Sequence, residues 1–503
     1  MTDLNLLLDP RLLRVAGDTL PRQRRLYELL RQAILEGRLA PGSALPACRV
    51  LAHDLGLARN SVVYAYEQLA AEGYVQSSRQ GTVVAALPER RRPGVTASGV
   101  TQGDATASAL KPAVKLPTPA LLSNRVAAFN RRRTADDDLR PFMPGIPALD
   151  AFPLAAWRRL LQGAWRDQAA DTLGYRSAVG ELELRQAIAT YVRVARGVVC
   201  TVDQVIVTEG TQHSLDLCAH LLADAGQRAW IEHPGYGGAR VAFQTAGLKL
   251  VPVPVDEQGL APPAALWRQQ PPRLIYTTPS HQYPLGSVLS LPRRLALIEQ
   301  ACAAGAWILE DDYDSEFRHD GPPLAAMQGL APNTPVVYLG TFSKSMFPAL
   351  RMGFMVVPTA IADRCSGVLG DLVRGGRTAE QAALAAFINE GHFTKHLRKM
   401  RPLYAQRQAA LRDALSRHWP WPGEVLGGAC GLHVVLTLPH EIADTVAAAA
   451  AMAMGLSPRP LSAYGTGGAP QNGLVLGYAN TPADQMATRV KQLVRALNAG
   501  LAK

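Results

Sequence analysis

The residues of this chain best able to do chemistry gather around Lys344. It stands between Ser343 and Ser345 in the run Thr341-Phe342-Ser343-Lys344-Ser345-Met346-Phe347-Pro348-Ala349-Leu350-Arg351. A lysine amine forms a Schiff base with an aldehyde cofactor, and nearby hydroxyls and an arginine suit that cofactor's phosphate. Ser-Lys-Ser alone recurs by chance, and a surface lysine at a strand end would look the same. Other segments decide between the two readings. Gly210-Thr211-Gln212-His213 opens a helix, where free N–H groups and the helix dipole favour an anion; plain N-capping by Thr211 is the alternative. Pro234-Gly235-Tyr236 follows an apolar run, which positions Tyr236 to lie flat on an aromatic ring. Glu310-Asp311-Asp312-Tyr313-Asp314 follows Ala306-Trp307-Ile308-Leu309. A buried aspartate there keeps a pyridine nitrogen protonated, making the ring an electron sink, while Tyr313 is placed for the ring's phenolic oxygen. Seen alone, so dense an acidic cluster is more often a metal site or a solvated loop; against a metal, no histidine sits at ligand spacing within it, and only His281 and His319 can approach from outside. The ordered set of anion turn, tyrosine, aspartate with tyrosine, lysine and arginine decides for a cofactor site.

These segments need a frame that brings them to one edge. Apolar runs at Gln204 to Thr208, Arg228 to Glu232, Arg273 to Thr277, Ala306 to Leu309 and Val336 to Gly340 alternate with helical patterns at Leu182 to Ala195, Gln212 to Ala225 and Arg293 to Ala304. The alternation predicts an α/β domain, doubly wound, with a mostly parallel sheet and its ligand at the strand ends. A long helical stretch after Arg377 leads into a smaller C-terminal α+β part containing Gly431 to Leu436 and Gly473 to Tyr478.

Upstream the pattern changes. Pro21 to about Gly37 reads as one helix with Gly37 at its C-terminus. Leu39 to Pro46 reads as a turn-rich connector, Ala47 to Leu55 as a second helix ended by Gly56, and Ala58 or Arg59 to Glu72 as a third burying Val62, Val63, Tyr66 and Leu69. Tyr74 to Val84 reads as a hairpin with a polar turn. Helices followed by a hairpin make a winged helix-turn-helix. Arg59, Asn60, Ser61 and Tyr64 then lie on the recognition helix, Arg49 grips phosphate, and Arg79, Gly81 and Thr82 form the wing tip. Residues 1–85 are expected to form this DNA-binding domain. Residues 86–135, with Arg90-Arg91-Arg92-Pro93 and a Thr/Ser/Ala/Gly/Pro-rich run, are expected to be a flexible linker, and 136–503 the effector domain.

Bulk properties agree. A chain of 503 residues exceeds one ordinary core, and its formal charge of +11 permits an acidic partner such as nucleic acid. Six scattered cysteines fit neither a disulfide framework nor a zinc site. The absence of a membrane-length apolar run or a signal-type block makes the cytoplasm the expected compartment.

Two resemblances sharpen this reading. Leu45-Pro46-Ala47-Cys48-Arg49-Val50-Leu51-Ala52, Leu55-Gly56-Leu57-Ala58-Arg59-Asn60-Ser61-Val62 and Tyr66-Glu67-Gln68-Leu69 resemble the GntR-type winged-helix signature, departing where Cys48 and Ala58 stand for serines common in that family. Residues 140 to 503 resemble the fold type I pyridoxal-phosphate aminotransferases. By that resemblance Lys344 is the Schiff-base lysine, Asp311 the pyridine-nitrogen partner, Tyr313 the phenolate contact and Tyr236 the stacking residue. Thr211, Gln212, Thr341, Ser343 and Arg351 become phosphate contacts. Tyr175, followed by Gly180 and Arg185, is the tyrosine such homodimers send to the neighbour's phosphate. The two domains joined by a linker resemble the MocR/GabR family, as do Thr278-Pro279-Ser280-His281-Gln282-Tyr283-Pro284-Leu285-Gly286 and Glu310 to Phe317. The resemblance implies a transcription regulator that binds promoter DNA and senses pyridoxal 5'-phosphate or an amine or amino-acid effector.

Two departures from the aminotransferase pattern bear on activity. Tyr283 precedes Pro284 where those enzymes carry an asparagine to the cofactor oxygen, so Tyr313 is expected to act alone. Val475 stands where they commonly place the arginine that grips the substrate carboxylate. Efficient transamination is therefore not expected, and the cofactor itself or an amine without an α-carboxylate gains weight as effector. A working aminotransferase with an accessory DNA-binding domain, and a cofactor-free dimerising regulator, remain the alternatives.

Overall fold

The computed structural model describes residues 21–78, 81–86, 123–127, 139–319, 321, 324–331, 333–465 and 471–501. They fall into two compact units, one within residues 1–116 and one within 117–503.

The first unit is built on α1 (Arg22–Leu35), α2 (Cys48–Leu55) and α3 (Arg59–Ala71), with β1 (Ala44–Leu45), β2 (Val75–Ser78) and β3 (Gly81–Val84). Helical spacing sets Leu26, Tyr27, Leu30, Ala33 and Ile34 on one buried stripe of α1. Left-handed Gly37 (φ 74°) and Gly56 (φ 62°) end α1 and α2 as expected. Helix α3 buries Val62, Ala65, Tyr66 and Leu69; Val63, expected on that face, is only half-buried because it lies one residue round the helix from Val62. The Tyr27 hydroxyl donates to Glu72 at 2.6 Å, tying α1 to the end of α3. The Tyr66 hydroxyl donates to the Pro46 carbonyl at 3.0 Å, fixing α3 against the turn before α2. The connector read as turn also contains a strand. β1 pairs antiparallel with β3 (Ala44 opposite Val83), giving a three-stranded wing in the order β1-β3-β2. Two residues are too few for a strand period to show in sequence.

The second unit follows in chain order: α4 (Leu154–Arg166), α5 (Leu182–Arg196), β4 (Val205–Thr208), α6 (Thr211–Leu222), β5 (Arg228–His233), α7 (Gly237–Thr245), β6 (Lys249–Asp256), β7 (Gly259–Leu260), α8 (Ala264–Gln269) and β8 (Leu274–Thr277). Next come α9 (Leu291–Ala304), β9 (Trp307–Asp312), β10 (Val336–Thr341), β11 (Gly353–Val356), α10 (Thr359–Leu372), α11 (Thr378–Asn389) and α12 (His392–His418). The chain closes with β12 (Val425–Leu426), β13 (His433–Thr437), α13 (Asp444–Ala453), β14 (Arg459–Pro460), β15 (Gly473–Gly477) and α14 (Met486–Leu501). Within the stretch expected to be linker, the described residues Asn124–Ala127 form one helical turn packed near α7, a departure from an entirely structureless segment.

Eight strands form one sheet in the order β4-β11-β10-β9-β8-β5-β6-β7. β10, β9, β8, β5 and β6 run parallel, while β11 is inserted antiparallel between β10 and β4. The C-terminal ends of β4, β5, β8, β9 and β10 therefore share one edge. Leu309, Val337, Leu339 and Met355 lie in the core on one side, while Ile308, Val336 and Trp230 lie in that on the other. Strands buried on both faces read as continuous apolar runs, so most were visible in the sequence. β9 is longer than expected, and Glu310, Asp311 and Asp312 are strand residues rather than a loop after it. A second sheet, β12-β13-β15-β14, is wholly antiparallel and forms the smaller C-terminal part. Among the described residues, no helix is long and apolar enough to cross a membrane.

Candidate cofactor site and nucleic-acid interface

The shared edge opens into a cavity of about 720 Å³ lined by Thr211, Gln212, Tyr236, Asp311, Tyr313, Thr341, Ser343, Lys344 and Arg351. Nine of the ten residues expected around a cofactor thus meet in one place. Tyr175 does not line this cavity. It is 85% exposed, with the Arg374 guanidinium 5.3 Å over its ring.

Strand alternation sorts the acidic run. Asp311 faces the cavity, whereas Glu310 and Asp312 point to the opposite face of β9. There Glu310 accepts the N–H groups of Met327 (2.8 Å) and Gln328 (3.1 Å), and Asp312 pairs with buried Arg196 (2.5 Å) and the Tyr338 hydroxyl (2.6 Å). Asp311 Oδ2 accepts the Tyr276 hydroxyl at 2.8 Å; Oδ1 is buried with no hydrogen-bond partner among the described residues. An orphaned carboxylate oxygen is costly. Desolvation pushes the Asp311 carboxyl up to about 7, the Tyr276 bond opposing and nearby Asp312 and Glu232 reinforcing the rise. Because this folded-state value lies above the unfolded one, Asp311 favours the fold at acid pH. That contribution is lost as pH rises through about 7. Asp311→Asn is therefore expected to raise the Tm of the cofactor-free protein more at pH 8 than at pH 5. Melting curves at the two pH values check this, and an equal shift at both refutes it.

Other side chains set the loops. Buried Glu232, near the end of β5, accepts Thr277 Oγ1 (2.6 Å), Thr278 Oγ1 (2.6 Å) and Gln282 Nε2 (3.1 Å), and Gln282 also donates to the Pro234 carbonyl (2.9 Å). This holds the turn carrying Tyr236. Gln212 donates its side-chain amide to the Gly238 carbonyl at 3.0 Å, so its backbone N–H in the first turn of α6 is what it offers an anion. A Cβ at Gly238 would collide with the Tyr236 ring, which is why glycine stands there. Arg351, in left-handed backbone (φ 49°), is held through its carbonyl by Arg377 at 2.9 Å and donates to the Glu209 carbonyl at 2.6 Å. Its guanidinium thereby lies beside the α6 N-terminus, with Ser343 and Thr341, themselves bonded at 3.1 Å, lining the same cavity. Lys344 Nζ donates to the Gly145 carbonyl at 2.7 Å.

Tyr313 has partners behind it. Its hydroxyl lies 2.9 Å from His281 Nδ1, which is also 3.0 Å from buried Asp314. When Nδ1–H points at Asp314 and shares its proton with the Tyr313 oxygen, the Tyr313 hydrogen is left to donate elsewhere. Of the two histidines able to approach the acidic cluster, His281 joins it, while His319 lies 3.0 Å from the Tyr478 hydroxyl. His433 stands near enough to His281 and Asp314 for a metal. Its Nε2 donates to the Pro284 carbonyl at 3.0 Å, and burial holds the imidazole down to about 3 and so neutral. Tyr283, in the asparagine's place, turns an edge to Tyr236 and Tyr313 and bonds the Tyr464 hydroxyl at 3.0 Å.

Sequence reasoning missed Tyr276, His433, Tyr464, Arg240 and Arg459 as lining residues. Tyr276 could have been read from its place at the end of an apolar strand run. Arg459 gave no signal, because only the sheet register places it. Val475 is fully buried in β15, as an apolar residue at that position should be.

In the first unit, Arg59, Asn60 and Ser61 form the first turn of α3, with Arg59 and Asn60 exposed and Ser61 half-exposed. Tyr64 lies one turn further and engages Arg24. Ala58, the N-cap, offers no side-chain bond to the first turn, where the Ser61 N–H donates to the Ala58 carbonyl at 2.9 Å. Arg49 is exposed early in α2, and Gly81 and Thr82 begin β3. Arg79 lies outside the described residues.

The fold and site together define a winged-helix unit followed by an aminotransferase-type domain of fold type I. Comparison with known proteins agrees. Residues 16–84 match the bacterial regulatory proteins of the gntR family, and residues 147–493 match aminotransferase class I and II. The chain is 40% identical over 479 residues to the probable rhizopine catabolism regulatory protein MocR of Rhizobium meliloti, covering 94% of this chain and 93% of that one. It is 32% identical over 504 residues to the HTH-type pyridoxine biosynthesis transcriptional regulator PdxR of Corynebacterium glutamicum, covering 99% and 100%. Among solved structures, LysN, the α-aminoadipate aminotransferase of Thermus thermophilus complexed with N-(5'-phosphopyridoxyl)-L-leucine, superposes with a TM-score of 0.66 at 27% identity, over 72% of this chain and 92% of LysN. The chain belongs to the MocR-type, GntR-family DNA-binding transcription regulators that carry an aminotransferase-like domain.

Proposed function

We propose that this regulator carries pyridoxal 5'-phosphate on Lys344 and uses it to sense an amine or amino-acid effector rather than to sustain turnover. The observation that carries the reading is the orphaned Asp311 Oδ1 in the same cavity as Lys344. A protonated pyridine nitrogen is the donor that oxygen lacks, and the remaining residues fit the rest of the group. Lys344 supplies the amine for its aldehyde, and the α6 N-terminus with Thr341, Ser343 and Arg351 supplies the phosphate cradle. Tyr236 would pack against the ring, and the Tyr313 hydroxyl would be the donor for its phenolic oxygen. When bound, the cofactor supplies an aldehyde for exchange with amines and a ring that draws off electrons. The chain's own residues orient it, with Asp311 holding a proton at the ring nitrogen and the Tyr276 hydroxyl fixing that carboxylate's direction.

Tyr175, exposed and outside its own cavity, supports a homodimer in which it completes the partner's phosphate site. Two winged helices then present two α3 helices to repeated or inverted half-sites on promoter DNA in the cytoplasm. An effector that interacts differently with the two dimer arrangements shifts their balance. Residues 1–85 carry DNA recognition in this reading, 86–135 the connection and 136–503 the sensing.

Footprinting of the purified full chain on its own promoter, with and without cofactor, tests the proposal. Salt-resistant protection whose pattern changes on loading supports it; protection indifferent to cofactor and amines sinks the sensing role. Steady transamination is the second reading, favoured by the intact Lys344, Asp311 and Tyr313. Turnover of an amino donor with a keto acid, abolished in Lys344→Ala, would establish it.

A further inference from the structure

Val475 removes the arginine an aminotransferase uses to hold a substrate carboxylate, yet the sheet returns a guanidinium to the same face from the neighbouring strand. β14 pairs antiparallel with β15 so that Arg459 lies directly opposite Val475, and β13 places Val435 opposite Val475 on its other side. Directly opposed residues in an antiparallel ladder project to one face, about 5 Å apart from strand to strand. Leu426, Val435, Val475 and Arg459 therefore form one row across the small sheet. The three apolar members are packed among Leu461, Tyr464, Tyr283 and Leu285, and Arg459, half-buried at the end of the row, lines the same cavity as Lys344 and Tyr464. The phosphate cradle at the α6 N-terminus has its own guanidinium in Arg351, so Arg459 is not required there.

We infer that Arg459 anchors the carboxylate of an amino-acid effector, taking from β14 the role that Val475 leaves vacant on β15. The effector class is an amine that bears a carboxylate, contrary to the weight the valine alone gives to carboxylate-free amines. Arginine suits this because its planar fork meets both carboxylate oxygens, and a half-buried site screens the pair less than open water does. Arg240 also lines the cavity, but from α7 rather than from the row opposite Val475, and serves as the control. The inference rests on reading Lys344 as the cofactor lysine.

The test is calorimetric and visible-absorbance titration of the cofactor-loaded full chain with matched pairs: L-alanine and ethylamine, L-leucine and 3-methylbutylamine, L-ornithine and 1,4-diaminobutane. The wild type is expected to bind at least one carboxylated member about tenfold or more tighter than its decarboxylated partner. Arg459→Gln is expected to cut that preference by about 10–100-fold, the range for losing a charge-assisted pair. Affinity for the decarboxylated amine and for the cofactor should be unchanged. Arg459→Lys, which keeps charge without the fork and guards against a folding defect in the glutamine variant, should retain part of the preference. Preference for the carboxylated member that survives Arg459→Gln, falls only in Arg240→Gln, or is absent from the wild type overturns the assignment while leaving the cofactor reading intact. A wild type that takes up no cofactor overturns both.

Discussion

Lys344→Ala is expected to abolish the visible absorbance that cofactor-loaded protein retains through dialysis. Cofactor affinity is expected to fall on the order of 100-fold, about 2.7 kcal/mol. The cradle, Asp311 and Tyr236 all remain, so binding is weakened rather than eliminated. The fold should barely respond, because the lysine is half-buried and its hydrogen bond to the Gly145 carbonyl is worth only about 1 kcal/mol. Any change in promoter protection caused by amines in the wild type should vanish in the variant, since alanine has no amine to exchange. Equilibrium dialysis, absorbance and footprinting measure the three effects. Absorbance that persists in the alanine variant would show that the cofactor is held through some other residue, and the site as drawn would fall.

The second large effect is expected in the winged helix. Arg59→Ala, at the first position of α3, is expected to cost about 1–3 kcal/mol in promoter affinity and to relax base preference at one position in each half-site. Arg49→Ala should instead weaken binding to all sequences alike and lower the salt slope by about one, as loss of a phosphate contact does. Both arginines are exposed, so thermal stability should move by no more than about 0.5 kcal/mol. Competition binding at several salt concentrations separates the two signatures. Equal behaviour of the two variants across specific and non-specific DNA would refute the division of labour.

Much of this architecture was legible in the residues, for reasons that differ by element. The parallel strands are covered on both faces and so announce themselves as apolar runs, and the chemistry-bearing residues follow them in sequence because parallel strands deliver their C-terminal ends to one edge. Helices ended by Gly37 and Gly56 carry their stops with them. What stayed hidden depends on pairing. β1 is two residues long, and Leu39 to Pro46 looks like any turn until β3 lies beside Ala44 and Leu45. Asp311 reads as a loop residue until β9 is seen to run through it, and only alternation on that strand separates the aspartate facing the cavity from Glu310 and Asp312 behind it. His281 and Tyr313 are 32 residues apart, and nothing in either segment foretells their contact. Arg459 is the extreme case. Its neighbourhood in the chain is ordinary in pattern, and its relation to Val475 exists only in the ladder.

The Gly145 carbonyl gives the lysine's hydrogen bond a reach beyond the cavity. Gly145 belongs to a strap, residues 140–148, fastened to the small sheet and to α12: Gly477 donates to the Phe142 carbonyl at 2.9 Å, Ser457 to that of Pro141 at 2.8 Å, and the Ala148 N–H to the Tyr404 hydroxyl at 3.0 Å. An amine that becomes covalently occupied cannot keep the donors it had when free, so the strap's carbonyl gains or loses its partner with the state of Lys344. In the reading proposed above, the occupancy of Lys344 would therefore register in a backbone segment that is itself bonded to the small sheet and to α12.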